Sequence, residues 1–526
     1  MFAIVEIVAI VALGVIGGDA APAYAKERPA VVLVGSAWGP EGNQVSLETQ
    51  VEALKDALGP RLSTLLFAAG SNADVRSVQV EDLESLDEAT DLLGLVFARP
   101  QGLFVQYRPS KIRGAGVASK AGFLSAIQEA SRRSVDVVVF AVGHGTPATE
   151  EQPAAIELWG ADDQLYVDEL AQFMDRKAAP KGMTAFVLGH CHSGAFADVM
   201  YVRGDQKESL APSARCVFAA VPSDREAAGC TPDVNDPSAE AYMAQIAHAL
   251  GRQGVADYDG DGAVSLAEAH AYAKIQDPTI DLPVSTSEVW LEALPSGPDA
   301  VPNDWTVSRL MAEARASERA VLTALGPDTA GKMTLGAMAE ALEREKDALE
   351  RTRRALDDAE ADREQLRRQI LNAVLLRWPE LSNPYHPVSR RILSAPSRRL
   401  EPDPPQSPDP RPSAGARPGA DARPGAGARP GDSVRSVGMT ERRSVEDGSL
   451  IDVIKKRPEL REIERLDRQL TIRANAVLRQ EKDVVRKERW LRTALYVARE
   501  QGIRRRGRTN EVAQLDAILA CESMTP

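Results

Sequence analysis

Aromatic side chains are scarce in this chain of 526 residues, at 5% in all. Little of a core can then be built on rings, which suggests long helices rich in Ala and Leu. Cysteine is rarer still, and four residues are too few for a disulfide scaffold. Gly and Pro, at 38 and 34, are too few for a collagen-like or wholly disordered chain. Positive charge is also in deficit. A net charge of -13 argues against bulk nucleic-acid binding, because a polyanion is drawn to a basic face. No apolar run reaches the roughly 20 residues that a membrane span needs. What remains is 44% hydrophobic and 26% charged, enough to bury a sizeable core in several domains.

The longest apolar run is Phe2 to Ile16, followed by Gly17-Gly18 and a small-residue step Ala23-Tyr24-Ala25 before Lys26. This pattern reads as a signal peptide over residues 1–25, and the expected location is secreted or periplasmic. In such an oxidising compartment Cys216 and Cys230, 14 residues apart, are able to pair, while Cys521 near the end reads as incidental.

From Ala30 to about Pro295, short β-branched runs alternate with amphipathic stretches, the pattern of an α/β unit with a mostly parallel sheet covered by helices. Expected strands are Ala30–Val34, Thr64–Ala68, Val137–Val142, Thr184–Leu188 and Cys216–Val221, each nearly all apolar. Expected helices are Glu48–Leu58, Lys120–Ser131, Asp168–Asp175 and Ser238–Leu250, with Asp168 and Ser238 as N-caps. This domain is assigned residues 28–296.

Beyond Asp304 strand signals stop. A helical segment is expected over 304–393, a Pro-rich linker with repeated Arg-Pro-Gly over 394–433, and a basic helical segment over 434–526. From Asp432 onward there are 21 Lys and Arg against 16 Asp and Glu, a balance of +5. Leu342, Leu349 and Leu356 repeat at seven, as do Ile463, Leu470, Val477, Val484 and Leu491. Such coiled-coil seams need a partner, either each other in an antiparallel hairpin or a second chain through self-association.

Two expected strands end in reactive residues, one in Gly143-His144-Gly145 and the other in Gly189-His190-Cys191-His192-Ser193-Gly194. Ligands bind outside the carboxyl ends of parallel strands, so His144 and Cys191 would share one rim. A thiol nucleophile needs a nearby base or a helix N-terminus to ionise, and His144 is placed to supply the base and then the acid. Gly145 lets the backbone approach a substrate, and its N–H with that of Cys191 could stabilise an oxyanion. The plain alternative makes His144 a strand cap and Cys191 a small buried apolar residue. His190 and His192 flank the cysteine, but alternating side chains of an extended segment point apart, so no metal cluster is expected. His248, His270 and His386 have no companion ligands at metal spacing.

The apolar strand into Gly143-His144-Gly145 and the Cys191-His192-Ser193-Gly194 box 47 residues after the histidine resemble the caspase-hemoglobinase clan of cysteine peptidases. Metacaspases are the nearer likeness and legumain-like enzymes the more distant. The resemblance covers roughly Ala30 to Pro295 and implies the caspase-hemoglobinase fold, a Cys191/His144 dyad, oxyanion donors at Gly145 and Cys191, and a protein or peptide substrate. Metacaspases usually carry Asp two residues before the cysteine, where this chain has Gly189. Pro222-Ser223-Asp224-Arg225-Glu226 follows the next strand where the clan builds part of its S1 pocket, which makes Asp224 the candidate acid for a P1 Arg or Lys. The competing reading is an exposed charged loop.

Residues 257–268 form a complete EF-hand loop. Asp257, Asp259 and Asp261 stand at positions 1, 3 and 5, Gly262 at the turn and Ala263 with its carbonyl at 7. Ser265 at 9 is suited to hold a water, and Glu268 at 12 to chelate with both oxygens. Calcium is the expected cofactor. The residues together read as an exported, calcium-binding, caspase-like cysteine endopeptidase with a helical arm. The alternatives are an Asn-specific legumain-like enzyme and an inactive calcium-stabilised scaffold.

Overall fold

A computed structural model of the chain describes residues 28–72, 74–81, 88–97, 105–176, 180–252, 254–294, 305–326, 334–383 and 447–526. The signal peptide, the linker and His386 lie outside these residues. The strands are β1 (Ala30–Ser36), β2 (Leu62–Phe67), β3 (Val78–Val80), β4 (Gln106–Arg108), β5 (Val137–Gly143), β6 (Gly145–Thr146), β7 (Ala155–Glu157), β8 (Gln164–Tyr166), β9 (Thr184–Gly189), β10 (Arg215–Ala219) and β11 (Val284–Ser285). Helices α1 (Val45–Leu58), α2 (Glu88–Phe97), α3 (Lys120–Arg133), α4 (Val167–Met174), α5 (Tyr242–Gly251), α6 (Leu266–Gln276) and α7 (Thr286–Ala293) intervene. The arm contains α8 (Val307–Glu313), α9 (Ala316–Leu325), α10 (Leu335–Arg377), α11 (Asp447–Lys455), α12 (Pro458–Arg505) and α13 (Thr509–Glu522).

Six strands form one sheet in the order β11-β10-β9-β5-β1-β2, parallel except for β11. Alternation within the apolar runs explains why the sheet is covered twice. Val31, Leu33, Val138, Phe140 and Phe218 pack with Val51, Leu54 and Ile246 of α1 and α5. Their neighbours Val32, Val34, Val139 and Phe186 pack with Phe123, Ile127 and Leu170 of α3 and α4. Each fully buried side chain of this size contributes about 1.5–3 kcal/mol, so a polar residue is excluded from either face. The sequence order runs from β1 outward to β2 and then back across to β5, which opens a crevice between the loops after β1 and β5.

The helix starts differ from expectation. Tyr166 occupies the N-cap position of α4 and leaves Asp168 in its first turn, while Ala241 rather than Ser238 precedes α5. In α4 the Glu169 carboxylate accepts the Tyr166 N–H at 3.3 Å, which satisfies a terminal donor without Asp168.

The arm folds back on itself. Glu345–Lys487, Arg353–Glu481 and Arg363–Asp467 pair α10 with α12 in antiparallel register. Leu342 and Leu349 meet Val477, Val484 and Leu491 in one apolar cluster, so these heptad positions are satisfied within the chain. The far end packs on α2, with Ile370, Val374 and Ile463 against Leu93 and Val96. Among the described residues, no helix is long and apolar enough to cross a membrane.

Helix α13 returns to the sheet, and here the cysteine pairing differs from expectation. Cys216 is bonded to Cys521, 305 residues away, and Cys230 carries a free thiol. The reason is positional. Cys216 points from the start of β10 into the face that α13 covers, whereas Cys230 lies beyond the strand end, with its thiol 3.8 Å from the Gly143 carbonyl. Cys521 is fully buried there, and Met524 beside it gives its carbonyl to Leu266 N–H at 2.8 Å. The Glu522 carboxylate accepts from Ser287 N and Oγ, both at 2.7 Å.

Candidate active site and acidic loop

Strands β5 and β9 are adjacent and parallel, with Val142 opposite Gly189, so both chains leave the sheet at one rim. His144 and Cys191 are thereby brought to the same rim. The approach is close: a Cβ on Gly145 would lie 2.2 Å from the Cys191 carbonyl oxygen and 2.4 Å from His190 Nδ1, so only glycine fits. The Glu157 N–H donates to the His144 carbonyl at 3.0 Å. This antiparallel register turns the Gly145 N–H away from β7.

His144 is half-buried, and its Nε2 lies 2.8 Å from the Gly42 carbonyl. A carbonyl only accepts, so Nε2 carries the proton and Nδ1 is left basic. Burial holds the imidazole below its ordinary pKa of 6.5, partly opposed by the Gly42 bond, and so favours the neutral ring. Trp38, from the same loop after β1, places its ring 5.0 Å from that of His144 and remains 44% exposed, forming a wall of the crevice.

The Cys191 thiol is held by Ala227, whose N–H donates to Sγ at 3.3 Å. Burial pushes the thiol above its ordinary value, the Ala227 N–H opposes that, and Glu226 and Asp281 add to the rise. The resting sulfur is therefore a thiol rather than a preformed thiolate. The segment after the cysteine, Ser193–Met200, is a 3₁₀ helix entered through His192 with φ at 60°. Its poorer dipole alignment gives the sulfur less help than an α-helix would.

The neighbouring histidines hold the backbone. His190 is fully buried against the edge of Phe196, with Nδ1 2.9 Å from the Cys191 carbonyl, and burial lowers its pKa to about 4. His192 N–H donates to Arg225 O at 2.8 Å and its Nδ1 lies 2.9 Å from Ser223 O, which pins the loop after β10 to the cysteine loop. At Gly189 a Cβ would fall 2.0 Å from Met243 Cγ, so α5 leaves no room there for an acid. Asp224 is exposed and lines a groove of about 580 Å³ with Lys346, Leu349 and Glu488 of the arm. Glu226 and Asp281 are the acids that raise the thiol.

In the acidic loop, Asp257, Asp259 and Asp261 bring their carboxylate oxygens within 4.8 Å of one another. Positive φ at Gly260 and Gly262 makes the tight turn possible. Glu268 is arranged differently from the chelating role read in the sequence. It is 4% exposed, and its carboxylate accepts from Tyr258 N at 2.8 Å, Asp259 N at 3.1 Å, Ser265 N at 2.9 Å and Ser265 Oγ at 2.8 Å. Ser265 N-caps α6 in a capping box with that same glutamate. Ala263 gives its N–H to Asp261 at 2.8 Å. Three hard carboxylates around a glycine turn suit an oxygen-loving divalent ion, with Glu268 joining only by exchanging its backbone bonds.

Trp38, Gly42, Ala227 and Asp281 carry no motif and escaped the sequence reading; a Trp in the loop following the first strand was the one visible signal. Comparison of the chain with models of known protein families and with curated proteins finds no match.

Proposed function

We propose that this protein is an exported, calcium-binding cysteine endopeptidase of the caspase-hemoglobinase type, with preference for Arg or Lys at P1. The observation that carries the reading is the delivery of His144 and Cys191 from adjacent parallel strand ends, with the basic Nδ1 of His144 unoccupied by the Gly42 bond. In the reaction Nδ1 takes the thiol proton as Sγ attacks the scissile carbonyl. The oxyanion is met by the Gly145 and Cys191 N–H groups. The C–N bond then breaks, and His144 returns the proton to the leaving amine. Water, deprotonated by the same nitrogen, attacks the thioester, releases the acid and restores the thiol. The Cys216–Cys521 disulfide supports an oxidising location.

Reporter peptides with P1 Arg or Lys are expected to be cleaved faster than those with Asn or Asp, and Asp224→Ala is expected to erase the difference. Faster cleavage after Asn would move the site to the legumain-like class, and an unchanged Arg preference in the variant would remove Asp224 from the pocket.

Calcium is expected to raise the melting temperature of the parent and not of Asp259→Asn, since clustered carboxylates repel until a cation neutralises them. At a hundredfold excess over Kd the stabilisation is about 2.7 kcal/mol. Identical melting in chelator and in excess calcium would dismiss the ion. With Glu268→Gln a smaller calcium response than the parent's is expected, because that residue must leave its backbone partners to bind.

A further inference from the structure

We infer that Arg489, on α12 of the arm, is a positioning residue for Cys191, an inference that rests on Cys191 being the nucleophile proposed above. Arg489 is buried at the junction of arm and sheet domain, with 4% of its surface exposed. It donates to four backbone carbonyls: Asp281 at 2.6 and 2.8 Å, Asp277 at 2.9 Å, and Lys274 and Thr279 each at 3.1 Å. The end of α6 and the loop after it are gathered around this one guanidinium. Only a planar fork with five N–H groups can serve four acceptors in this way.

The loop passes the constraint on through Asp281. That carboxylate is buried and accepts the Ala228 N–H at 2.7 Å. One peptide earlier, Ala227 N–H donates to Cys191 Sγ. The flanks of this stretch have their own anchors, Arg225 O receiving His192 N–H and Gly229 O receiving Gln50. Besides Cys191 itself, Asp281 is the side chain bonded to the stretch between them among the described residues. Displacing it frees the peptide that aims a donor at the sulfur. The Arg225–Glu488 pair, at 3.1 Å, docks α12 on the same loop one residue before Arg489. The arm is therefore part of the machinery around the thiol and not only a spacer.

The test is the alkylation rate of Cys191 by iodoacetamide in the full-length protein near neutral pH, followed by peptide mass so that Cys230 is counted separately. Arg489→Lys retains charge but not the fork, and Asp281→Ala removes the second link. Arg489→Lys is expected to slow alkylation about tenfold, the loss that follows when one hydrogen bond to a charged group is removed, and Asp281→Ala by less, because the carboxylate it removes also raises the thiol. Asp281→Asn, which still offers an oxygen to Ala228 but loses a charge that raises the thiol, is expected to react at the parental rate or faster. Arg315→Lys, altering a half-buried arm arginine that pairs with Glu318 and Glu500, should leave the rate unchanged. Parental or faster alkylation in Arg489→Lys overturns the inference, and so does equal slowing in Arg315→Lys or in Asp281→Asn. Should Asp281→Ala fail to fold, Arg489→Lys decides alone. If the variants slow as expected while the parent cleaves no peptide, the positioning role stands and the peptidase reading falls.

Discussion

Replacing Cys191 with alanine is expected to reduce cleavage of an Arg reporter peptide by about 10³-fold or more, with the melting temperature near that of the parent. Removing a nucleophile ends the covalent route entirely and leaves only substrate binding and the oxyanion donors to assist water. The side chain removed is small and half-buried, so little packing is lost. His144→Ala should be almost as damaging, and the two losses should not add, because base and nucleophile act as one unit. Burial lowers the pKa of His144 and raises that of Cys191, so the neutral pair that starts the reaction persists across neutrality. The acidic limb of kcat/KM is accordingly expected below 6.5, the ordinary value for His. Parental cleavage by Cys191→Ala would end the dyad assignment.

The second large effect concerns the tail. The sequence places Arg398 and Arg399 at the start of the Pro-rich linker, free of the Pro that follows Arg411, Arg417, Arg423 and Arg429, and a P1 Arg enzyme is expected to cut itself there. Such a cut would separate the basic helical segment if it were an independent unit. Because Cys521 is bonded to Cys216, the cleaved protein is instead expected to keep its full mass in denaturing gels without reductant and to split in two when reduced. The Cys191→Ala protein, aged beside it, should remain whole. Release of the tail without reductant would show that the bond is not formed. In the uncut chain Cys521→Ala is expected to cost about 3–5 kcal/mol, since a bond closing so long a loop restricts the unfolded chain strongly.

The strands around the site were legible because doubly covered strands are apolar throughout, as Val137–Val142 and Thr184–Leu188 are. That His144 and Cys191 leave the sheet at one rim was legible from parallel strands, whereas the adjacency of β5 and β9 was not. The acidic loop was legible as a spacing, yet the bonding of Glu268 was not. A carboxylate twelve positions into such a loop is able to face either the other acids or the backbone N–H groups of Tyr258 and Asp259, and spacing does not choose between them. The raised thiol was also hidden, since it depends on how deeply the sulfur sits and on acids from two other loops.

By itself the sequence determined the alternation of strand and helix, the reactive residues at two strand ends, the acidic turn and the heptad seams, because each is written in residues close together along the chain. Only the tertiary structure decided that α10 and α12 close on each other, that Cys216 takes Cys521 as its partner, and that Arg489 gathers the loop beneath the thiol. These pairings join residues 142, 305 and 208 positions apart. No local period or motif encodes them; they follow from which buried donors, acceptors and apolar faces remain unsatisfied once the sheet has formed.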